Sequence, residues 1–397
     1  MYVSTSDTKI PLKREVAPYF QPIVSLQNQQ IFGYETLGRR VQQGKIESLG
    51  PFFKDPTIAD ENHLHIDRHL REMAIKKMAA EDPSACLFIN LKPSWIFATY
   101  QTTGVLITLE IMKKYHIHPS RVVIEITEEE FMGHLQELTE VIHLYRQAGC
   151  RIAIDDVGSG FSNFDRIASI QPNILKIDLN ILKKSATHSG YKALMQSFSI
   201  LAAQMGASLL VEGVETKQDL QNALHASARY VQGYLFSPAM AELQQADTYK
   251  DMLKIEMGLY SQEEFVKYRR LFAVQESLEH LVNSSVAIQS VEEADHVIER
   301  TLTTITDNCM RIYICREDGY QISSNYTRKH HNWHKDESFQ GSNWIWRPYF
   351  IANVLIMNMK QQGTLSQVYA DLDSLNLIQT FSCPLGEGFY LFLDLSI

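Results

Sequence analysis

Glu35, Asn90, Glu125, Asp155, Asp156, Lys176, Asp178, Glu212 and Gln232 each stand at or near the C-terminal end of a short apolar run. Six of them are carboxylates, and five of these, Glu35, Glu125, Asp155, Asp156 and Glu212, would converge if the runs close into a barrel. Two unit charges about 4 Å apart repel by roughly 4 kcal/mol at an effective dielectric near 20, so five acids gathered in one place need protons or cations. Hard divalent cations prefer carboxylate, amide and water oxygens, so Mg²⁺ or Mn²⁺ is the ion such a set would suit. The adjacent aspartates of "RIAIDDVGSG" (151–160) could each reach a different ion. Two ions about 3.5–4 Å apart clamp the attacking and leaving oxygens of a phosphoryl transfer. Lys176 could then stabilise phosphate charge or orient a water, and Glu212 could ligate or act as base. Taken singly, each feature has a plainer reading. Asp155–Asp156 is a helix cap or turn, Lys176 with Asp178 is an ion pair, and "EITEEE" (125–130) is a solvated helix start favoured by the helix dipole. Only the joint pattern outweighs these.

The elements that must position these residues are eight apolar runs, at 19–26, 30–37, 86–91, 121–126, 151–155, 174–178, 207–212 and 230–236. Most are separated by stretches long enough for a helix. In "FMGHLQELTEVIHLYRQAGC", Leu135, Leu138, Val141, Ile142 and Tyr145 share one helical face, and Gly149 suits the stop. Eight strands with helical crossovers predict an α/β fold of the (β/α)8 barrel type, with a doubly wound open sheet as the alternative. In a barrel the strand C-termini converge on one face, which would bring the polar residues together.

The whole chain of 397 residues has room for more than this barrel. Residues 1–245 read as the barrel, 246–285 as connecting helices and 286–397 as a small α+β domain. Ser261 with Glu264 has the spacing of a capping box and predicts a helix start, as does Ser290 with Glu293. Strand-like runs follow in "MRIYIC", "YQISSN", "LIQTFSC" and "FYLFLDL". The net charge of −9 argues against a nucleic-acid polymer as partner. Five cysteines without a Cys-x-x-Cys pair read as reduced thiols, which with the lack of a signal-peptide h-region points to the cytoplasm. No apolar run is long enough for a membrane span.

In order along residues 15–245, "YFQPIV", "YETLGR", "LFINL", "VIEITEEE", "IDDVGSGFSN", "LKID", "VEGVET" and "QGYLFSPA" resemble the motifs of EAL-domain cyclic di-GMP phosphodiesterases. The resemblance implies a barrel with one antiparallel strand that hydrolyses one phosphodiester bond of cyclic di-GMP to linear pGpG. It implies Mg²⁺ or Mn²⁺, two ions per barrel, held by Glu35, Asn90, Glu125, Asp155, Asp156 and Glu212, some through water. By the same resemblance Lys176 assists near the attacking water, and Glu212 is the candidate general base. Glu128 tethers the Asp-Asp loop, Arg39 meets a substrate phosphate, and Gln21, Asp178, Glu215 and Gln232 face the substrate. A homodimer is also implied. The sequence departs from the family pattern at Thr36, Val157, Ser159, Phe161 and Arg229. These changes keep a second reading open, a barrel that binds cyclic di-GMP without useful turnover and signals through dimer contacts or the connecting helix.

Beyond the barrel, "NWIWRPYF" and "VYADLDSLNLIQTFSCPL" resemble PAS/Cache-like sensor domains, and the barrel-plus-sensor order is most similar to YkuI-type EAL proteins. Trp346, Arg347, Tyr349 and Asp371 are the candidates for holding a small unknown ligand there. Arg with aromatic neighbours suits a carboxylate; the plainer reading makes the rings core and Arg347 an ion-pair partner. The histidines of "KHHNWHKDE" read as a solvated loop, and His63, His65 and His69 as surface or packing residues.

Overall fold

The computed structural model describes residues 9–82, 84–126, 135–158, 164–282, 288–305, 307–329, 332–372 and 374–396. It divides into two compact units, Met1–Ser261 and Gln262–Ile397. In the first unit the order is β1 (Val16–Ser25), β2 (Gln30–Gln42), β3 (Lys45–Ser48), α1 (Gly50–Lys54), α2 (Asp60–Glu81), β4 (Cys86–Leu91), α3 (Pro93–Thr103), α4 (Ile107–Lys114), β5 (Val122–Ile126) and α5 (Leu135–Ala148). It continues with β6 (Arg151–Val157), α6 (Phe164–Ile170), β7 (Ile174–Ile177), α7 (Leu179–Ser185), α8 (Ser189–Met205), β8 (Ser208–Val211), α9 (Lys217–His225) and β9 (Tyr230–Gln232).

The sheet closes. Its order is β1-β9-β8-β7-β6-β5-β4-β2, and β1 pairs back onto β2. β1 runs antiparallel to both of its neighbours, whereas the pairings from β2 through β4 to β9 are parallel. The predicted eight-stranded barrel with one antiparallel strand is therefore the observed one.

A period of two explains how the barrel gathers polar groups. Ile23, Phe88, Val123, Ala153, Ile174, Leu210 and Tyr230 form a buried layer inside the barrel. The residue two positions nearer the strands' shared end is Gln21, Asn90, Glu125, Asp155, Lys176, Glu212 and Gln232 in turn. Register fixes the level: Gln21 lies opposite Glu35, and Asn90 opposite Glu125. The outward-facing strand residues, such as Leu87, Ile124, Ile152, Leu175 and Val211, pack under the helices.

A helix α10 (Lys250–Val282) begins in the first unit and runs into the second. It passes straight through Ser261, so the predicted helix start there is corrected. The capping-box spacing acts only where backbone N–H groups lack a preceding turn, and here that turn is already helical. In the second unit follow α11 (Val291–Thr301), β10 (Cys309–Arg316), β11 (Asn325–Lys329), β12 (Asn332–Asp336), α12 (Phe350–Lys360), β13 (Thr364–Leu365), β14 (Tyr369–Ala370), β15 (Leu377–Gly386) and β16 (Phe389–Ser396). The second predicted cap forms. Ser290 Oγ accepts from Glu293 N at 3.2 Å, and Glu293 Oε2 accepts from Gln289 N at 2.6 Å.

The sheet of this unit is antiparallel, in the order β12-β11-β10-β16-β15-β13 with β14 on β15. His334, expected in a loop, lies on β12 opposite Thr327; His330 and His331 fall outside the described residues. Residues 320–324, expected in a strand, precede β11. His63 is buried, its ring nitrogen 2.8 Å from the Phe52 carbonyl oxygen, which is a packing role.

Candidate active site

At the centre of the polar layer lies Lys176, 1% exposed. Its ammonium is 2.7 Å from Glu212, 2.8 Å from Glu125, 2.9 Å from Asp155 and 3.6 Å from Glu35. Lys176 is thus no partner of Asp178, which instead caps α7 by accepting from Asn180 N at 2.7 Å. Glu35 is held from both sides. Asn90 donates to its Oε1 at 2.8 Å, and Gln232 donates to its Oε2 at 2.7 Å and to Gln21 Oε1 at 3.2 Å.

Adjacent residues of a regular strand point to opposite faces, so Asp155 and Asp156 should diverge. They do not, because the β6–β7 register shifts between Ile154 and Val157 and Asp156 adopts a left-handed φ of 53°. Asp155 accepts from the Asp156 N–H at 3.1 Å, which fixes the turn. This uncommon conformation for a non-glycine residue lets both carboxylates serve one site. Carboxylate oxygens of Asp155, Asp156 and Glu212 come within 4.8 Å of one another, and so do those of Glu35, Glu125 and Asp155. Asp155 belongs to both triads.

The electrostatics are unbalanced. Glu35, Glu125, Asp155, Asp156 and Glu212 carry five negative charges when ionised, against one Lys176. Burial pushes the Glu125 carboxyl well up, only partly opposed by Lys176. Burial likewise pushes Glu212 up to about 8, opposed by Lys176 and reinforced by Asp155 and Glu35. The Lys176 ammonium is held well above its ordinary range: burial opposes its charge, and Asp155, Glu125, Glu212 and Glu35 outweigh that. Glu125 Oε1 meets the Lys176 ammonium at 2.8 Å, and Oε2 is buried with no partner among the described residues. Gln232 Oε1 is likewise buried with no hydrogen-bond partner among the described residues. Two divalent cations would balance the four excess charges and give these oxygens partners, so the donor set fits hard metal ions.

Beside the cluster a cavity of about 250 Å³ is lined by Thr36, Arg39, Asn90, Lys92 and Trp95, among others. The half-buried Arg39 donates to the Gly38 carbonyl at 3.0 Å and makes no ion pair among the described residues. Lys92 lies 4.5 Å over the Trp95 ring; its placement here was not legible from the motifs. Glu215 stands apart in a half-exposed ion pair with Lys183 at 2.7 Å. Glu128, Ser159 and Phe161 lie outside the described residues. Val157 is fully buried in the barrel core, so its aliphatic side chain is packed where it stands.

In the C-terminal unit, Arg347 stacks 4.5 Å from the Trp346 ring, and Tyr349 shares a 3.2 Å hydrogen bond with Tyr369. Asp371 is engaged elsewhere, with Arg311 at 3.1 Å. Among the described residues no helix is long and apolar enough to cross a membrane.

The "EAL domain" family profile matches residues 8–239, and the "EAL-domain associated signalling protein domain" profile matches residues 243–397. The chain is 35% identical, over 96% of its length and 94% of the relative's, to the uncharacterized EAL-domain containing protein YkuI of Bacillus subtilis. It is 34% identical to the probable cyclic di-GMP phosphodiesterase PdeA of Escherichia coli, over 55% of this chain and 29% of that one. The crystal structure of B. subtilis YkuI in complex with substrate c-di-GMP and calcium superposes with a TM-score of 0.88 at 33% identity, covering 97% of each chain. A standalone EAL protein from Vibrio cholerae in its c-di-GMP-bound form gives a TM-score of 0.52 at 26% identity, covering 58% of this chain and 95% of that one. A barrel with these strand-end motifs, followed by this particular C-terminal domain, makes the chain a member of the EAL-domain family.

Proposed function

We propose that this protein hydrolyses cyclic di-GMP to linear 5′-pGpG with two Mg²⁺ or Mn²⁺ ions, under the control of its C-terminal domain. The observation that carries the reading is the pair of carboxylate triads sharing Asp155 around a buried lysine. The similarity to cyclic di-GMP phosphodiesterases, and to a solved structure holding c-di-GMP, supports the choice of substrate.

Glu35, Asn90, Glu125, Asp155, Asp156 and Glu212 would hold the ions; Asp155 belongs to both carboxylate groups. When bound, the ions supply Lewis-acid chemistry, an acidified water and neutralisation of phosphate charge. Glu212, at the strand end beside Lys176, is the candidate general base for the attacking water. Lys176 places a fixed positive charge beside the reacting phosphate. Asn90 and Gln232 fix the orientation of Glu35 through its two oxygens. Arg39 meets a substrate phosphate from the neighbouring cavity, a bidentate contact suited to guanidinium. Gln21 and Gln232 face the substrate from the antiparallel side of the barrel. Asp178, which caps α7, and Glu215, which pairs with Lys183, also face the substrate in this reading. A homodimer and a cytoplasmic location belong to the same reading.

The test is chromatography of cyclic di-GMP incubated with the full-length protein and MnCl₂, with EDTA as control. Linear pGpG formed only with metal supports the proposal. Retention of intact dinucleotide on the protein, without product, would replace it with the binding-only reading.

A further inference from the structure

The sheet of the C-terminal unit buries one face with Ile312, Leu391 and Leu393 against Ala294 and Ile298 of α11. Its other face packs Tyr313, Tyr390 and Phe392 against Phe350, Val354 and Met357 of α12. By the two-residue period, Arg311 and Asp394 continue this second face beyond the helix. Here the sheet is not covered by apolar packing. A cavity of about 380 Å³ opens on it, within the range of small-molecule sites.

The floor of the cavity is built of buried polar groups. Arg311 Nη1 donates at 3.1 Å to both Asp371 and Asp394, so one guanidinium is shared by two carboxylates. Asp371 is further taken up by Ser374, through N at 2.9 Å and Oγ at 2.8 Å. Among the described residues Asp394, 2% exposed, accepts from Arg311 and from Thr380 Oγ1 at 2.7 Å. A carboxylate offers about four acceptor sites, so Asp394 retains capacity. Of the charged residues lining the cavity, Asp336, Asp371 and Asp394 are acids, and Arg311 and Lys329 are bases. Among the described lining residues the balance is one negative charge, while Met310, Phe339 and Ile378 supply apolar wall.

We propose that this cavity binds a small organic ammonium ion, its amino group seated on Asp394 and its apolar body against Met310, Phe339 and Ile378. An anion is disfavoured, because the guanidinium that would receive it is already held between two carboxylates. Burial, reinforced by Asp371, pushes the Asp394 carboxyl up against the opposing effects of Arg311, the Thr380 hydrogen bond and Arg347, so a cation seated on it would add compensation. The site is separate from the barrel chemistry and stands or falls without it.

Calorimetry on the full-length protein with phenethylamine, 2-phenylethanol and phenylacetate separates charge from shape. The same series is run with butylamine, butanol and butyrate. The expected result is binding of at least one amine at least tenfold tighter than its alcohol, with no binding of the carboxylates. Asp394→Asn should weaken the amine at least tenfold. Because that change also touches Arg311, Thr327→Trp fills the cavity from β11 without removing an ion pair and should abolish binding. Binding of neither amine overturns the proposal, as does equal binding of alcohol or carboxylate, or amine binding that survives Thr327→Trp.

Discussion

Lys176→Met tests how the acidic cluster is held together. The ammonium lies within 2.9 Å of three carboxylates and 3.6 Å of a fourth. At about 3 Å and an effective dielectric near 20, each close contact is worth roughly 5–6 kcal/mol before desolvation. Desolvation and protonation of Glu125 and Glu212 absorb most of this. Removing one member of a buried charge cluster costs about 3–5 kcal/mol net. For a unit of this size that corresponds to a fall in Tm of roughly 10 °C in EDTA. Manganese should reverse the loss, because with the ammonium gone the ions face one more uncompensated carboxylate. Mn²⁺ should therefore bind the variant at least tenfold tighter, about 1.4 kcal/mol, even though turnover is lost. The assay is thermal unfolding in EDTA and in MnCl₂, with calorimetric titration of Mn²⁺. An unchanged Tm in EDTA, or weaker Mn²⁺ binding than wild type, would refute the reasoning.

Three further outcomes follow from the same geometry. Asp155→Asn removes the carboxylate common to both triads; turnover should fall at least a thousandfold, with the fold retained by circular dichroism. Gly158→Ala forces a Cβ against Ile181 at a φ of +95°. It should cost about 1–3 kcal/mol in urea unfolding and weaken Mn²⁺ binding by displacing the adjoining aspartates. Asp82 is pushed up by burial, but hydrogen bonds from Ala85 N, Ser84 N and Ser84 Oγ outweigh this and hold its carboxyl below the ordinary 3.8. A lowered folded value stabilises above 3.8, and the effect disappears as pH falls through it. Asp82→Ala should thus cost about 1 kcal/mol at pH 7 and almost nothing near pH 2, measured by urea unfolding at both.

The eight apolar runs carried the barrel, because buried parallel strands announce themselves as apolar stretches and a polar residue at the end of each is conspicuous. What the runs could not show is how neighbouring Asp155 and Asp156 reach one site. That depends on a register shift and a left-handed residue, and neither has a local signature when the residue is aspartate rather than glycine. Lys176 was seen beside Asp178 in sequence, yet its partners come from four other strand ends, which only closure of the barrel brings near. In the C-terminal unit, α12 is marked in the sequence by Phe350, Asn353, Val354 and Met357 at helical spacing, directly after the tryptophan-rich stretch. Arg311 and Asp371 are 60 residues apart, and no periodicity marks such a pairing. Ser261 and Ser290 carry the same capping spacing, and only the second has an open backbone N–H to receive.

The central claim is that water opens the phosphodiester at the acidic cluster around Asp155, whose residues would hold the metal ions. Single-turnover reaction of cyclic di-GMP with the Mn²⁺-loaded protein in H₂¹⁸O, followed by mass spectrometry, tests it most directly. The account predicts linear pGpG with one ¹⁸O in its terminal 5′-phosphate. Intact cyclic di-GMP bound to the metal-loaded protein, or a linear product without the label, would contradict it.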